Sequence, residues 1–255
     1  MLVHPDLQRV EHAHRRSVPG ACVVAVIADG WPDDIEASVR AVLEHSAPDV
    51  RVAILDCGDV DGAGSRAYAL ATEFPDRVAS FHVAGTVADV GWGPAMRTLI
   101  ATVDAPFVAP LDTATILEGD AFPALLAPFS DPTVVITGWR GANVNTDDWY
   151  SFDSAGPGEV DVAMGYLMVM RTDAALTTPP HRKARFYRNA DMEWCLALRE
   201  AGGRIVVPEG DLPIRQERHR GYYDSEPEYR DAESQRNYRR MLDRFKGRTE
   251  ILAPR

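Results

Sequence analysis

The sequence predicts an α/β fold in which helices flank a mixed, mostly parallel central sheet. Two observations lead to this prediction. Continuous apolar runs rich in β-branched residues, such as CVVAVIA at residues 22–28, are typical of strands covered on both faces. The early runs are each followed by a turn and a helical pattern, and such alternation implies parallel strands joined by right-handed crossovers.

The elements follow in a regular order through the first half of the chain. Residues 1–19 predict a helical extension that stops at Pro19-Gly20. The first two strands each end in a polar turn, Asp29-Gly30-Trp31-Pro32 and Asp56-Cys57-Gly58-Asp59, before the next helix begins. Strands are predicted at Cys22–Ala28, Val50–Leu55, Val78–Val83, Phe107–Leu111 and Thr133–Thr137, and helices at Asp33–His45, Gly64–Glu73, Pro94–Val103 and Asp120–Phe129.

The second half differs in style. Gly, Asn and Asp are frequent between Trp139 and Val160, which predicts a loop. A strand at Ala163–Met170 and an amphipathic helix at Met192–Ala201, ending at Gly202-Gly203, follow it. Tyr229, Tyr238, Leu242 and Phe245 have helical spacing and predict a terminal helix over Glu226–Lys246. We expect an extension at 1–19, one domain at 20–225, and a helix with its tail at 226–255.

Composition and charge limit the classes of function. With 255 residues and 45% hydrophobic content, the chain can bury a sizeable core. Its formal charge of -11 would repel a polyanion, so we expect no nucleic-acid partner. The longest apolar runs, Ala21–Ala28 and Val162–Met170, are too short to span a membrane. The three distant cysteines indicate a reducing cytoplasm. Peripheral attachment at the inner membrane face and homo-oligomerisation are left open.

Carboxylates follow three of the predicted strands. Asp29 follows the first strand, Asp56 and Asp59 the second, and Asp112 the fourth. Ligands bind at the carboxyl ends of parallel strands, where these side chains could receive ribose hydroxyls or base N–H groups. Asp at a strand end is also a common turn or capping residue, so a purely structural role remains the alternative for each.

A second cluster lies in RFYRNADMEWCLALREAGGRIVV. It places Asp191 at the start of a helix, where the dipole and free N–H groups favour an ionised carboxylate that could accept a proton. Phe186, Tyr187 and Trp194 provide aromatic surface of the kind that sugar rings stack on. In the alternative interpretation, Asp191 only caps the helix, Glu193 is solvated, and the aromatic side chains belong to the core.

Positive charge is concentrated in two short stretches of this acidic protein, where it could offset a diphosphate. Most charge runs are solvated faces, which is the alternative here. The residues are Arg215, Arg218, His219 and Arg220 in one stretch, and Arg182, Lys183, Arg185 and Arg188 in the other.

Taken in order, these motifs resemble the inverting family 2 glycosyltransferases of the GT-A fold, over residues 22–222. The second strand of that family ends in an Asp that holds the base or ribose, which Asp56 in AILDCGD matches. The segment around Trp92, Ala95 and Arg97 resembles the one before the family's Asp-x-Asp strand. The stretch LDTA at 111–114 stands where Leu-Asp-x-Asp is expected, with Ala114 replacing the second Asp.

The later motifs of the family also have counterparts. VDVAMGYLMVMR resembles the segment leading to the acceptor site, with Gly165 at its glycine. NADMEWCLALREAGGRI is similar to the Glu-Asp-x-Asp-Leu motif, which places Asp191 on the catalytic base and Glu193 on the second acidic position, with Ala190 replacing the Glu. His219 resembles the late histidine that completes the metal site in many members.

The resemblance implies a site of four parts. It makes Asp191 the catalytic base, and Asp112 with His219 the ligands of Mg²⁺ or Mn²⁺, the donor diphosphate and waters completing the shell. Without metal, Arg215 or Arg218 would neutralise the leaving diphosphate. The implied donor-binding residues are Asp29, Asp56, Arg97, Asp112, Arg215 and Arg218, and the implied acceptor-binding residues are Gly165, Trp194 and Glu193.

Three functions follow, and we prefer the first. The resemblance implies a hexosyltransferase that moves a sugar from a nucleotide-diphosphate donor to an acceptor hydroxyl with inversion. With Ala114 and Ala190 in place of acidic residues, the chain could instead be a degenerate relative that binds nucleotide or a protein partner. A sugar-phosphate nucleotidyltransferase ranks last, because ADGWPDDI lacks the Gly-rich, Arg-containing loop which that class needs.

Overall fold

Nine strands form one mostly parallel sheet at the centre of the computed structural model, which describes residues 1–255. The chain has sixteen strands in all, in the central sheet and in smaller ones: β1 (Val3–His4), β2 (Val18–Pro19), β3 (Cys22–Ala28), β4 (Val50–Cys57), β5 (Val78–Val83), β6 (Val103–Asp104), β7 (Phe107–Pro110), β8 (Thr115–Leu117), β9 (Val134–Gly138), β10 (Gly141–Val144), β11 (Phe152–Ala155), β12 (Gly158–Glu159), β13 (Val162–Ala163), β14 (Met168–Arg171), β15 (Arg204–Val207) and β16 (Ile214–Gln216). The helices are α1 (Leu7–His14), α2 (Pro32–His45), α3 (Ala63–Glu73), α4 (Val87–Val90), α5 (Trp92–Thr102), α6 (Phe122–Leu126), α7 (Thr172–Thr177), α8 (Ala190–Glu200), α9 (Arg220–Tyr223) and α10 (Pro227–Phe245).

The strand order is β1-β5-β4-β3-β7-β14-β9-β15-β12, and only β14 and β12 run against the others. The chain leaves β3 toward β4 on one side and reaches β7 on the other, so the sheet has a topological switch point between β3 and β7. Open sheets bind ligands at such a point. The predicted α/β class with a mixed, mostly parallel sheet is confirmed.

Buried side chains pack on both faces of this sheet. Along β3, Val23 and Ala25 belong to one apolar cluster and Val24 and Val26 to the other, because successive side chains of a strand point to opposite faces. All four are fully buried. Burial on both faces of the sheet therefore explains the continuous apolar run, as inferred from the sequence. No helix is both long and apolar enough to cross a membrane.

Two predicted elements were wrong. The region 139–160 is not a loop, because β10, β11 and β12 lie in it and β10 pairs with both β11 and β13. Its polar side chains are partners of the backbone: Oδ1 of Asn143 accepts from the N–H of Asp161 at 2.9 Å. The predicted strand at Ala163–Met170 is divided into β13 and β14, with a turn between them.

The first 19 residues contain the predicted helix, α1, whose N-terminus is capped by Asp6 through a bond from the N–H of Arg9 at 2.9 Å. Strand β1 was not predicted; it adds to the edge of the sheet, with Val3 beside His82. The division at residues 19 and 225 stays a prediction.

The predicted terminal helix is present as α10 and packs against α8. Asn237, fully buried on α10, donates its side-chain amide to the carbonyl oxygens of Phe186 at 2.7 Å and Arg188 at 3.0 Å. Because these two carbonyls precede α8, the terminal helix fixes the backbone that enters it.

Candidate active site

A cleft of about 550 Å³ opens at the carboxyl ends of β3 and β7, beside the switch point. Asp29 follows β3, Asp112 follows β7, Asp191 lies in the first turn of α8, and His219 precedes α9. All four line the cleft although they are far apart in sequence. A volume of this size suits a small-molecule ligand.

Asp112 and His219 are in direct contact. The Nε2 atom of His219 lies 3.0 Å from Oδ2 of Asp112, while Oδ1 of Asp112 accepts from the N–H of Ala114 at 2.8 Å. On its other side, Nδ1 of His219 lies 3.3 Å from the hydroxyl of Tyr187, and the two rings stack at 4.8 Å. These contacts fix the orientation of both side chains.

Burial shifts the ionisation of the cleft. It raises the pKa of Asp112 to about 6 and lowers the pKa of His219 to about 4. Burial also raises the pKa of Asp29 to about 6, and the nearby charge of Asp112 adds to this shift. Neighbouring carboxylates that disfavour each other's charge make the cleft attractive to a cation.

Asp191 is fixed by the turn between β13 and β14. Its Oδ2 accepts from the N–H of Gly165 at 3.0 Å. Burial raises its pKa, and the charge of Asp112 adds to the rise, while backbone N–H groups of Met192 and Gly165 oppose it. The sequence led us to expect that the helix terminus would favour the ionised form, but burial outweighs it. A raised pKa makes a carboxylate a better proton acceptor.

Gly165 is positioned so that a side chain would strike the carboxylate. A Cβ atom there would lie 2.8 Å from Oδ2 of Asp191. We expect Gly165→Ala to displace Asp191 and lower kcat by about 10-fold or more, since small misplacements of a catalytic group cost up to about 10²-fold. Turnover and nucleotide-induced thermal shift are to be measured together. A variant with wild-type turnover would contradict this packing argument.

Trp194 and Glu193 do not fit the predicted acceptor-binding roles. Trp194 is 1% exposed and donates its Nε1–H to the carbonyl of Thr178 at 2.6 Å, inside the core. Glu193 is 2% exposed and is paired with Arg240 on α10. Neither lines the cleft, because Glu193 is held by Arg240 and Trp194 by the carbonyl of Thr178.

Asp56 and Arg97 do not fit the predicted donor-binding roles. Asp56 is 1% exposed, lies outside the cleft lining, and has Nδ1 of His82 at 3.1 Å. Gly64 covers it so closely that a Cβ there would lie 2.3 Å from Oδ2 of Asp56. Arg97 is exposed on α5 and donates to the carbonyl of Pro180 at 3.3 Å.

Three of the predicted cationic residues, Arg215, Arg218 and Arg220, are paired with carboxylates. Arg215 pairs with Glu118 at 2.8 Å and lies in a neighbouring cavity, outside the cleft. Arg218 lines the cleft but forms a two-point pair with Asp224, both bonds 2.6 Å long. Arg215 therefore does not fit its predicted role. Arg218 fits that role only when its pair with Asp224 is broken.

Arg188, one of four basic residues in its predicted stretch, lines the cleft and has no carboxylate partner. Its guanidinium carbon lies 4.4 Å from the ring centroid of Tyr222. Trp31 and Tyr187 also line the cleft. Only the tertiary fold distinguishes Arg188 from the three basic residues that precede it.

The cost of burying Asp29 is testable. Burial raises the pKa of Asp29 from about 4 in the unfolded chain to about 6 in the folded one. Its ionisation therefore destabilises the native state increasingly as the pH rises through this range. We expect Asp29→Asn to raise the free energy of unfolding at pH 7 by about 1–3 kcal/mol and to change it little at pH 4. Urea unfolding with EDTA at both pH values, with exposed Asp76→Asn as the control, would measure it. An equal gain at both pH values would disprove the electrostatic cause.

Comparison with known structures identifies the architecture. A mannosyltransferase from Pyrobaculum calidifontis, PcManGT, solved with GDP-Man and Mn²⁺, superposes with a TM-score of 0.66 at 16% identity, covering 98% of this chain and 71% of that one. GalNAc-T7, solved with UDP, GalNAc and Mn²⁺, gives a TM-score of 0.65 at 11% identity, covering 89% of this chain. The chain has the GT-A fold.

This chain spans 48% of the length of GalNAc-T7, so the match covers only part of that protein. No family model matches the sequence, and no curated protein matches it significantly. At these identities the likeness establishes the fold, and the reaction has to be argued from the cleft.

The contact between Asp112 and His219 has the spacing of two ligands of one cation, which is also the spacing of a hydrogen bond. Two ligands about 2.1 Å from one ion and at right angles to each other are about 3 Å apart, which matches the separation of Oδ2 and Nε2. Carboxylate oxygen is a ligand that Mg²⁺ and Mn²⁺ favour. No group of three or more His, Cys, Asp or Glu side chains is arranged to hold a metal ion, and Ala114 offers no ligand. Most of the shell would have to come from the donor and water.

Proposed function

We propose that this protein is an inverting glycosyltransferase related to family 2, which moves a hexosyl group from a nucleotide-diphosphate donor to an acceptor hydroxyl. One observation carries the proposal. A buried carboxylate with a raised pKa, Asp191, shares a cleft with the Asp112–His219 pair on a GT-A fold. The solved structures with nucleotide, sugar and Mn²⁺ support a donor of this class.

Asp191 acts as the base in this proposal. The acceptor O–H bond breaks as its proton passes to the carboxylate, and the oxygen forms a bond to the anomeric carbon. The bond from that carbon to the diphosphate oxygen breaks at the same time, with the two oxygens in line. A single displacement of this kind inverts the configuration. Gly165 keeps the carboxylate oriented through its N–H.

The leaving diphosphate needs positive charge. Arg188 is the cleft-lining cation without a carboxylate partner, so we assign it to the diphosphate. Asp112 and His219 would hold a divalent cation there, which when bound would add charge stabilisation on the phosphate oxygens. Asp29 lies beside Asp112, so we assign it to donor binding.

The three cysteines are free and buried, which suits our expectation of a reducing cytoplasm.

A thermal-shift screen tests the proposal. UDP-, GDP- and TDP-sugars are added with and without Mn²⁺ to the wild-type protein and to His219→Ala. We expect one nucleotide class to stabilise the wild type by several degrees, more with Mn²⁺ than without, and His219→Ala to lose the Mn²⁺-dependent part. No shift with any donor under either condition would refute the proposed function.

The degenerate, nucleotide-binding alternative is favoured by one observation. Ala114 leaves Asp112 and His219 without a third protein ligand. Release of nucleoside diphosphate from the donor selected in the screen separates the two functions. Binding without release, across a panel of hydroxyl acceptors and with water alone, would favour the degenerate relative.

A further inference from the structure

Trp139 and Arg140, just after the carboxyl end of β9, form a cluster with Tyr166, which lines the cleft. The guanidinium carbon of Arg140 lies 4.2 Å from the ring centroid of Trp139 and 5.9 Å from that of Tyr166. The two rings are 6.1 Å apart in an edge-to-face arrangement. Arg140 is exposed, whereas Trp139 and Tyr166 are half-buried. The cluster is therefore a packed aromatic surface that carries an accessible cation.

Backbone hydrogen bonds fix this cluster to the segment that holds the proposed base. The carbonyl of Arg140 accepts from the N–H of Met164 at 2.8 Å, and the N–H of Trp139 donates to the carbonyl of Leu167 at 3.1 Å. Between these two bonds lies Gly165, whose N–H binds Asp191. The cluster and Asp191 are therefore both hydrogen-bonded to the segment 164–167, of which Met164, Gly165 and Tyr166 line the cleft.

Arg140 differs from most arginines around the cleft in having no carboxylate partner. Arg215, Arg218 and Arg220 are each paired with an acidic side chain. The contacts of the Arg140 guanidinium are with aromatic rings, as that of Arg188, which we assign to the diphosphate, is with the ring of Tyr222.

We propose that Trp139, Arg140 and Tyr166 form an acceptor subsite for a sugar that carries an oxyanion, a carboxylate or a phosphate. Sugar rings stack on aromatic faces, and a guanidinium held on such a ring binds an oxyanion through two N–H groups. The inference rests on the proposed function, because it uses Asp191 to define the acceptor side. It adds a charge class for the acceptor, which the motifs do not give.

Binding of matched sugars tests the subsite without requiring turnover. The probes are glucose, galactose and mannose, their 6-phosphates, and glucuronate and galacturonate, titrated by calorimetry in the presence of saturating nucleoside diphosphate. The proteins are wild type, Arg140→Gln, and Arg239→Gln as a control, since Arg239 is an exposed arginine of α10 far from the cleft lining. Comparison of phosphates with uronates identifies which oxyanion is preferred.

We expect at least one anionic sugar to bind the wild type about 10-fold or more tighter than its neutral counterpart, since hydrogen bonds to charged groups are of that order. Arg140→Gln should remove the difference and Arg239→Gln should keep it. Equal binding, no binding of any sugar, or an anion preference that survives in Arg140→Gln would overturn the subsite. A retained thermal shift with nucleotide would show that the proposed function stands even if the subsite fails.

Discussion

Asp191→Asn is expected to lower kcat by about 10²–10⁴-fold, the range that a positioned general base contributes. The amide has the same shape as the carboxylate and its oxygen can still accept from the N–H of Gly165, so the cleft should keep its form. It cannot accept a proton from the acceptor hydroxyl. Nucleotide-induced thermal shifts should therefore remain within about 1 °C of wild type.

The pH dependence provides a second readout for the same residue. A base must be ionised, and burial raises the pKa of Asp191, so wild-type kcat/KM should fall on the acid side at a pH above the usual Asp value of about 4. At saturating donor and metal, which occupy Asp29 and Asp112, the kcat of the wild type should show this limb and the residual kcat of Asp191→Asn should not. Asp76→Asn, at an exposed position, is the control. Unchanged turnover in Asp191→Asn would remove the base assignment.

Arg240→Met is expected to have the largest effect on stability, a loss of about 3–5 kcal/mol in the free energy of unfolding. Arg240 donates from Nε to Glu193 at 2.7 Å, and its loss leaves a carboxylate that is 2% exposed without a partner. It also removes the bond at 2.9 Å to the side-chain oxygen of Asn237. Urea unfolding followed by circular dichroism measures the change.

Two further variants separate the buried pair from general damage to α10. Arg239→Met changes the adjacent, exposed arginine and should cost less than about 0.5 kcal/mol. The double variant Glu193→Leu/Arg240→Met removes both charges and should recover most of the loss. A single-variant loss below about 1 kcal/mol would show that solvent reaches Glu193 and that the pair matters little.

The sequence predicted the fold well where one physical signal dominated. The runs that became β3, β4 and β5 are apolar on both faces, and their turns follow directly, so their bounds agree within about two residues. It predicted poorly where tertiary contacts replace local signals. Region 139–160 looked like a loop because it is rich in polar residues, yet some of these bind backbone N–H groups, as Asn143 does for Asp161.

The candidate site was predictable to the extent that topology governs it. Asp29 and Asp112 meet because parallel strands deliver their ends to one edge, which follows from the pattern alone. Helix orientation and pairing were not predictable. Trp194 faces the core, Asp56 is covered by Gly64, and most of the basic stretch is neutralised by acids distant in sequence, whereas Arg188 is left for the cleft.

Asn237 gives helix α10 an influence on a wall of the cleft that it does not itself line. Its amide ties down the carbonyls of Phe186 and Arg188, while the amide of Asn189 donates to the carbonyl of Ser234 at 3.1 Å. Helix α10 thus fixes the segment of backbone that carries Arg188. Substitutions that break these bonds, although distant from the cleft, would let Arg188 move and would weaken its interaction with the leaving diphosphate.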